Sequence, residues 1–362
     1  MKIYLIGGAV RDKLLGLPMK ERDYVVVGAT IEEMLAKNFT PIGKEFPVFL
    51  HPKTKEEYAL ARTERKVSKG YKGFEFYADS TVTLEQDLLR RDLTINAMAE
   101  DEQGRLIDLY NGQQDLEKQL LHHVSSAFAE DPVRILRVAR FASKLPGFKV
   151  HPETNDLMKR MVEKGEVDAL VAERVWKEFS RALEEAEPWR FFEVLQNCGA
   201  LAVLFPTILP LNDLKILFQS AKQQSAATEI LFALIWPLGS EEALAQYNRR
   251  YKLPKKFCEF ARLFLQHYEK WRTLQSICTA ENILALLIGL DVFRRADRFA
   301  HFLLAATVKS DTPCEPLNAV LMQAEKACAV IDNQKLLSAG YEGKAFADAL
   351  YEARRQAIAR IL

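Results

Sequence analysis

Two adjacent glycines, Gly7 and Gly8, follow a short apolar run over residues 2–6 and precede a helical pattern over residues 10–15. This order predicts a strand, a tight turn and a helix. Because glycine has no Cβ, a phosphate can approach the backbone amides of the turn, and a helix start favours negative charge. Arg11 adds a cationic side chain for the same anion. A glycine pair also occurs in plain turns, so a phosphate site needs support from its neighbours.

Two carboxylates lie at the start of the next predicted strand. Residues 24–27, Tyr-Val-Val-Val, are of types that favour a strand. Glu21 and Asp23 stand two residues apart at its leading edge, so both side chains lie on one face of the strand. Hard oxygen ligands beside a phosphate site are what Mg²⁺-assisted phosphoryl transfer requires. Alone, such a pair is usually a solvated strand edge, so the combination favours catalysis. Glu57 is either a third carboxylate of this site or an exposed residue of the strand predicted over residues 57–61.

The distribution of glycine divides the chain of 362 residues into two regions. Ten of the sixteen glycines lie before residue 150, and glycine turns alternate with short strand patterns over residues 1–112. From residue 113 onward helical patterns prevail. An α+β fold is therefore predicted, with a mixed head followed by an all-helical remainder. The formal charge is +1, so any nucleic acid must be bound by local basic patches.

The cysteines and the apolar runs indicate the compartment. The five cysteines are widely spaced without a Cys-x-x-Cys pair, so neither a disulfide framework nor a structural zinc site is expected. The longest apolar runs, such as residues 230–238, are too short to span a bilayer, and the start has no secretion-signal pattern. We expect a cytoplasmic protein without membrane contact.

A third charged segment closes the predicted head. Residues 85–98 have an apolar face typical of a helix and contain an Arg-Arg-Asp triplet at residues 90–92. Asp108 and Gly112 follow as either a hinge or a plain turn.

A helix is predicted over residues 132–142, with Asp131 as its N-cap. The arginines that recur every three residues are Arg134, Arg137 and Arg140. They form one basic ridge, opposite an apolar face that includes Phe141. Like charges on one ridge repel, so an anion or acidic partners must lie against them. For Asp131 alone, capping is the simpler interpretation.

Together these segments resemble the class II tRNA nucleotidyltransferases, the CCA-adding enzymes of the polymerase-β-like superfamily. The resemblance rests on Gly-Gly-Ala-Val-Arg-Asp at residues 7–12, an acidic-x-Asp strand start at residues 21–23, Arg-Arg-Asp-Leu-Thr-Ile-Asn-Ala at residues 90–97, and Glu-Asp-x-x-Arg at residues 130–134. It is close over residues 1–205 and loose beyond.

The resemblance implies an enzyme that adds C, C and A to the 3′ end of tRNA without a nucleic-acid template, from CTP and ATP. It implies a polymerase-β-like catalytic head over residues 1–112, a neck with a nucleotide-selecting helix over residues 113–205, and a helical body and tail over residues 206–362. The implied partners are ATP, CTP and the acceptor and T arms of tRNA, with no stable protein partner.

The matched motifs also imply residue roles. Glu21 and Asp23 would be catalytic and would hold Mg²⁺, with Mn²⁺ as the alternative. The implied ATP and CTP ligands are Gly8, Arg11, Arg91, Arg137 and Arg140. Asp131 and Arg134 would read the base, because cytosine and adenine share an exocyclic amine that uracil and guanine lack at this position. Arg174 would support the selecting helix.

The chain departs from the family in two respects. Glu21 stands where the family has aspartate, and its extra methylene moves the carboxylate by roughly 1–1.5 Å, which lowers activity or favours Mn²⁺. Some relatives carry an additional phosphohydrolase domain with a His-Asp metal site. Only His267 and His301 lie beyond residue 151 here, without any His-Asp dipeptide, so no such activity is predicted.

Alternatives stay open for the function and for the basic segments. A basic loop over residues 62–72 is either solvated surface or the family's flexible loop, which favours full CCA addition over CC addition. Basic clusters at residues 249–256 and 294–298 either follow tRNA phosphates or are solvated helix faces. A poly(A) polymerase or A-only enzyme would share most motifs, and a decayed head that only binds tRNA would lack metal-dependent turnover.

Overall fold

The computed structural model describes residues 1–19, 21–42, 48–66, 74–77 and 79–362. The chain divides into two compact units, Met1–Pro206 and Thr207–Leu362. Most of the predicted basic loop over residues 62–72 lies outside the described residues. Within the described ranges, no helix combines the length and the apolar character needed to cross a bilayer.

The first unit contains the strands and nine of the helices found in the described residues. The strands are β1 Lys2–Ile6, β2 Asp23–Val27, β3 Thr40–Pro41, β4 Val48–Leu50, β5 Glu57–Leu60, β6 Thr63–Lys66, β7 Phe74–Tyr77, β8 Met98–Glu100, β9 Leu106–Asp108, β10 Leu120–Leu121 and β11 Lys149–Val150. The helices are α1 Gly8–Leu14, α2 Ile31–Ala36, α3 Leu84–Leu89, α4 Gly112–Glu117, α5 Val133–Lys144, α6 Pro152–Glu163, α7 Ala172–Glu184, α8 Trp189–Asn197 and α9 Ala200–Leu204. Short 3-10 segments are Thr94–Asn96, Ser126–Glu130 and Glu166–Ala169.

Seven strands of the described chain form one sheet in the order β3-β4-β5-β2-β1-β8-β9. β2 and β5 are parallel, and the other neighbouring pairs are antiparallel. In this register Asp23 lies opposite Ile6 on one side and Glu57 on the other. The predicted pairing of residues 48–50 with residues 57–61 is confirmed by β4 and β5. The end of β1, where the glycine turn begins, therefore lies beside Asp23.

Apolar residues cover both faces of this sheet. One face packs Ile6, Val25, Val82, Leu88, Ala97 and Ala99. The other face packs Val26, Met34, Phe39, Phe49, Tyr58 and Leu60. Because side chains alternate along a strand, Asp23 lies on the same face as Val25, at the strand end where this core stops.

The prediction of one helix over residues 85–98 is wrong. Helix α3 ends at Leu89, and the chain then passes through a 3-10 turn into β8. The Asp92 carboxylate accepts a hydrogen bond from the Leu93 backbone N–H at 2.8 Å, a local bond that competes with helical pairing. Ala99 then pairs with Ile6 in the sheet. Burial of β8 beside β1 thus overrides the helical pattern of its apolar residues.

Helix α5 confirms the helix predicted over residues 132–142. The Asp131 carboxylate accepts a hydrogen bond from the Val133 backbone N–H at 3.1 Å, so Asp131 caps the helix start as its position predicts.

The second unit is helical in the described residues, as the sequence pattern predicts. Its helices are α10 Leu211–Gln223, α11 Thr228–Leu234, α12 Glu241–Tyr251, α13 Lys255–Thr273, α14 Ala280–Gly289, α15 Ala296–Lys309, α16 Glu315–Ala329, α17 Asn333–Ser338 and α18 Gly343–Ala359. Its fully buried aromatic residues include Phe218, Phe232, Trp236, Phe264, Trp271 and Phe302. These large side chains supply the core of the unit.

Gly112 begins α4 in a crowded position. The two carboxylate oxygens of Asp108 accept from the backbone N–H groups of Gly112 and Gln113, at 2.8 and 2.9 Å. A Cβ on Gly112 would lie 2.5 Å from the Thr94 carbonyl oxygen and 2.8 Å from Cγ of Met98. The turn that follows β9 is therefore a capped helix start that packs against the Thr94–Asn96 segment.

Replacement Gly112→Ala tests this packing, because close packing predicts a loss of stability where helix propensity predicts a gain. In an open helix alanine stabilises by roughly 0.5–1 kcal/mol. Here the clash should lower the free energy of unfolding by about 1–3 kcal/mol. Urea denaturation of Gly112→Ala and of the exposed control Gln113→Ala would measure the difference. A Gly112→Ala protein as stable as the wild type would contradict the close packing.

Candidate active site

The turn at Gly7 is covered by two guanidinium groups. Gly7 has φ 68° and ψ −128°, a backbone conformation that is unfavourable for residues with a Cβ. A Cβ on Gly7 would lie 3.2 Å from Nη1 of Arg91, and a Cβ on Gly8 would lie 3.4 Å from Nη2 of Arg11. The structure thus brings Arg11, predicted to bind phosphate, and Arg91, implied to bind the nucleotide, to the predicted turn.

Two neighbouring carboxylates act on Asp23 beside this turn. Neighbouring strands lie about 4.8 Å apart, so Asp23 and Glu57, which are register partners, present their side chains next to each other on one face. Burial raises the pKa of Asp23, the charges of Glu57 and Glu21 raise it further, and the charge of Arg91 lowers it. Glu57 is exposed, as one interpretation of this residue has it, and its charge also acts on Asp23, as the other has it. A cation bound here would offset the mutual repulsion.

Arg91 is held by a buried carboxylate on α3. Its Nη2 donates to Oδ2 of Asp87 at 3.0 Å, while Arg90 donates to Oδ1 of the same residue at 2.6 Å. Burial tends to raise the pKa of Asp87, but the charges of Arg91 and Arg90 outweigh it and lower the pKa to about 2. Within the described residues, the buried Nε of Arg91 has no hydrogen-bond partner. Asp87 therefore orients Arg91 toward Gly7.

Arg11 is almost completely buried, with 2% of its surface exposed. Its Nε and Nη2 contact Oδ1 of Asp12 at 2.8 and 2.7 Å, and its Nη1 donates to Oδ1 of Asn96 at 2.5 Å. Oδ2 of Asp12 accepts from Nζ of Lys144 at 3.0 Å. Arg11 thus lies against Gly8 and also connects the glycine turn to the interior of the unit.

Acidic partners pair with two of the three arginines on the ridge of α5. Nε of Arg137 donates to Oδ2 of Asp92 at 2.7 Å, and Nε of Arg140 donates to Oε2 of Glu178 at 2.6 Å. Although burial tends to raise it, the pKa of Asp92 is lowered, chiefly by Arg137. Phe141 does not lie opposite the ridge as predicted, because the guanidinium carbons of Arg137 and Arg140 lie 5.6 and 4.5 Å from its ring centroid. The two carboxylates and the face of the Phe141 ring allow the guanidinium groups of Arg137 and Arg140 to lie on one side of the helix.

The predicted base-reading pair has partners within the protein. Both oxygens of Asp131 accept from Arg174, at 2.9 and 2.6 Å. Arg134 donates to the carbonyl oxygens of Ala127 and Arg90, at 2.9 and 2.6 Å. Arg174 therefore has the supporting contact expected of it, and Arg134 connects the start of α5 to the Arg-Arg-Asp segment.

A second group of metal-ligating residues lies near α6. His122, His151 and Glu153 offer ligand atoms within 4.8 Å of one another, a grouping identified among the described residues. The two imidazole rings are stacked, with centroids 3.9 Å apart and planes at 20°, so their nitrogen lone pairs do not converge. Nδ1 of His151 accepts from the Glu153 backbone N–H at 3.3 Å as the cap of α6, and Nδ1 of His122 lies 3.4 Å from Asp115. Helix capping and ring stacking account for this group.

The sequence patterns miss several partners of the site residues. Asp87 stands four residues before Arg91 in the segment predicted as helical, and this spacing is a signal that could have indicated their contact. Asp12 and Asn96 lie within the recognised motifs, but the motifs do not show that both residues bind Arg11. Lys144 has no local signal, because its contact with Asp12 spans 132 residues.

The chain matches two family models over parts of its length and known proteins over its whole length. Residues 3–122 match the poly A polymerase head domain, and residues 147–211 match the probable RNA and SrmB-binding site of polymerase A. The CCA-adding enzyme of Coxiella burnetii strain RSA 331 is 48% identical over 363 residues, which cover 100% of this chain and 96% of the relative. The multifunctional CCA protein of Pseudomonas fluorescens Pf-5 is 47% identical over 401 residues, with 99% and 98% covered.

Solved structures share the fold. A CCA-adding enzyme in complex with CTP superposes with a TM-score of 0.75 at 23% identity, over 99% of this chain and 87% of that one. The Thermotoga maritima CCA-adding enzyme complexed with tRNA gives a TM-score of 0.74 at 22% identity, over 98% and 86%.

Replacement Asp87→Asn should destabilise the protein in a pH-dependent way. The pKa of Asp87 falls from 3.8 to about 2 on folding, so its stabilising effect is complete above pH 4 and disappears as the pH falls to about 2. The shift corresponds to about 2 kcal/mol at neutral pH. Urea denaturation between pH 7 and pH 3 would measure the difference from wild type.

Glu85→Gln is the matched control, since Glu85 is exposed on the same helix. It should change stability by less than about 0.5 kcal/mol at every pH. A constant difference between Asp87→Asn and wild type across this range would show that the Asp87 charge does not stabilise the fold.

Proposed function

Because the chain belongs to the family of CCA-adding enzymes, we propose that it adds C, C and A to the 3′ end of tRNA without a nucleic-acid template. CTP and ATP are the substrates, and diphosphate is released. One structural observation supports nucleotidyl transfer as the reaction. The register of β1, β2 and β5 brings the carboxylates of Asp23 and Glu57 beside a glycine turn covered by Arg91. Carboxylates beside a triphosphate site suit attack of a 3′ hydroxyl on an α-phosphate.

The chain is assigned three functional regions. Residues 1–112 are the catalytic head, residues 113–205 the neck that selects the nucleotide, and residues 206–362 the body and tail that bind the acceptor and T arms of tRNA. The reaction is assigned to the cytoplasm.

Glu21 and Asp23 are the proposed ligands of Mg²⁺, with Mn²⁺ as the alternative. The donor set fits such an ion, because the clustered carboxylates are hard oxygen ligands and their charges raise the pKa of Asp23. When bound, the ion supplies charge neutralisation on the triphosphate and activation of the incoming hydroxyl. Glu57 adds negative charge at the same place. Because Glu21 is longer than the family's aspartate, its carboxylate must approach from a more distant backbone position.

Five residues are proposed to hold the nucleotide. They are Gly8, Arg11, Arg91, Arg137 and Arg140. The first three meet at the glycine turn, where the absence of a side chain lets phosphate oxygens reach the backbone and the guanidinium groups. The other two lie on α5, held by Asp92 and Glu178. Because these arginines are already paired with carboxylates, little reorganisation is needed when a nucleotide binds.

Asp131 and Arg134 are proposed to read the base. Oδ2 of Asp131 accepts one hydrogen bond from Arg174, and a carboxylate oxygen can accept two. The amine at C4 of cytosine or C6 of adenine would supply the second. Uracil and guanine have a carbonyl at that position, which would face a carboxylate oxygen without a proton between them.

Exposed basic residues of the second unit are the proposed tRNA contacts. Those on α12, α13 and the link between them include Arg249, Lys252, Lys255 and Lys256. Arg249 lies 2.8 Å from Glu242, and Lys256 lies 2.8 Å from Glu229. Exposed pairs of this kind are weak, so tRNA phosphates can compete for the same cations. Binding should therefore weaken as the salt concentration rises.

The direct test is extension of a tRNA that lacks its last three nucleotides. Purified protein and Mg²⁺ are supplied with CTP alone, ATP alone or both, and the products are separated at single-nucleotide resolution. We expect two additions with CTP and a third only when ATP is also present. Long A tails would instead assign a poly(A) polymerase, and absence of extension with Mg²⁺ and with Mn²⁺ would assign a tRNA-binding protein without activity.

Replacement Asp23→Asn should abolish activity while stabilising the fold near neutral pH. Loss of a metal ligand should lower the rate by about a hundredfold or more. The folded protein favours the protonated form, because the pKa of Asp23 is raised from 3.8. The cost of the charge is therefore absent well below pH 4 and grows as the pH rises through the folded-state pKa. Removing the charge should raise the melting temperature at pH 7 and not at pH 3.

Glu163→Gln, an exposed carboxylate replacement on α6, is the matched control and should change neither quantity. Both proteins are compared in the absence of divalent metal, so that ion binding does not add to stability. A melting temperature at pH 7 that falls on Asp23→Asn replacement would refute the proposed repulsion, and full activity would refute the catalytic assignment.

A further inference from the structure

A partly buried ion pair connects the helix of the glycine turn to the far end of α5. Asp12 on α1 is 7% exposed, and its two oxygens have different partners. Oδ1 accepts from the Arg11 side chain, and Oδ2 accepts from Nζ of Lys144, the last residue of α5, at 3.0 Å. Lys144 keeps 28% of its side chain exposed. The Asp12 carboxylate therefore fixes both the guanidinium of Arg11 and the end of α5.

A second connection joins the same two helices two turns earlier on α5. Nη1 of Arg11 donates to Asn96 at 2.5 Å, Nδ2 of Asn96 donates to Asp92 at 3.1 Å, and Asp92 accepts from Arg137 at 2.7 Å. Arg137 and Lys144 are seven residues apart, which is about two helical turns, so they lie on the same side of α5. Two points of attachment define the rotation and the axial position of a helix, whereas one point does not.

The helix fixed in this way begins with the proposed base-reading residues. Asp131 caps α5, and Arg134 lies in its first turn. The base-reading residues and the triphosphate turn must hold opposite ends of the same nucleotide. A displacement of about 1 Å between two such sites can cost two orders of magnitude in rate. The position of α5 relative to α1 should thus decide whether a base and an α-phosphate are aligned together.

We propose that Lys144 and Asp12 are positioning residues that determine nucleotide discrimination, by holding α5 in one position relative to the triphosphate turn. The proposal rests on the proposed function and extends it to two residues outside the assigned ligand set. Desolvation of the buried Asp12 carboxylate offsets much of its attraction to Lys144, so a role in fixing geometry suits this pair better than a role in net stability. Neither residue has to touch the nucleotide, because Asp12 acts through Arg11 and Lys144 acts through α5.

The test compares Lys144→Met, Lys144→Arg and the control Lys159→Met. Lys159 on α6 is also a lysine near an aspartate, Asp156, but that pair is exposed, at 3.9 Å. Single-turnover addition to tRNA lacking its last three nucleotides is measured with CTP and with UTP. We expect Lys144→Met to lower the ratio of the CTP rate to the UTP rate by about tenfold or more. Lys144→Arg should restore most of the ratio, and Lys159→Met should leave it unchanged.

A purely structural role for Lys144 would lower both rates by the same factor or leave both unchanged, and either result overturns the proposal. Circular dichroism and thermal unfolding of each variant exclude loss of fold as the cause. Equilibrium binding of CTP and UTP provides a readout without turnover, and the preference for CTP should fall in the same variant. If the wild type extends no tRNA, the proposed function itself fails. If the wild type extends and Lys144→Met discriminates like it, only this inference fails.

Asp12→Asn and the double variant Asp12→Asn/Lys144→Met test whether the two residues act through one contact. Each single replacement removes the ion pair, so the double variant should discriminate no worse than the more affected single variant. Multiplied losses in the double variant would mean that Lys144 and Asp12 act independently, which would contradict the proposal.

Discussion

The site depends on the pairing of β2 with a strand on each side. The antiparallel partner β1 ends in the glycine turn, and the parallel partner β5 begins with Glu57. Only this arrangement brings Asp23 next to a backbone that can accept phosphate and next to another carboxylate. A slip of one residue in either pairing would turn Asp23 to the other face of the sheet, where Val26 and Tyr58 form a core. The apolar cores on the two faces thus determine the register, and the register determines the position of the carboxylates proposed to be catalytic.

Charge is organised in opposite ways on the two sides of the proposed nucleotide position. Beside the turn, burial and the charges of Glu57 and Glu21 disfavour the charged form of Asp23, and the charge of Arg91 offsets this effect in part, so this side favours a cation. On α5, each arginine has a carboxylate, a carbonyl or an aromatic partner, so this side is electrostatically balanced before any ligand arrives. A metal–triphosphate complex fits that difference, because its cation meets the carboxylates and its anionic phosphates meet guanidinium groups. The repulsion at Asp23 therefore lies where the chemistry is proposed.

The sequence patterns identified the members of the site better than their contacts. The α+β head, the helical remainder, the hairpin of β4 and β5 and the capped start of α5 were all predictable, because turn residues and periodicity are local signals. The helix expected over residues 85–98 was not found, because Asp92 bonds to the backbone beside it and β8 pairs with β1. Whether Glu57 joins Asp23 could not be decided from spacing, since the register of parallel strands depends on packing across both faces. The roles of Asp87 and Lys144 follow from side-chain contacts that no motif contains.

The contact between Asp12 and Lys144 also has a consequence for the order of folding. It closes a loop of 132 residues, and the contact between Arg11 and Asn96 closes one of 85. Forming such distant contacts costs loop entropy that is recovered only when the intervening segments are already packed. During synthesis, β1 can pair with β2 once residue 27 has been made, but the contacts of Arg11 and Asp12 must await Asn96 and Lys144. A chain that ends before α5 therefore lacks the contact that joins the helix after the glycine turn to the helix proposed to select the nucleotide.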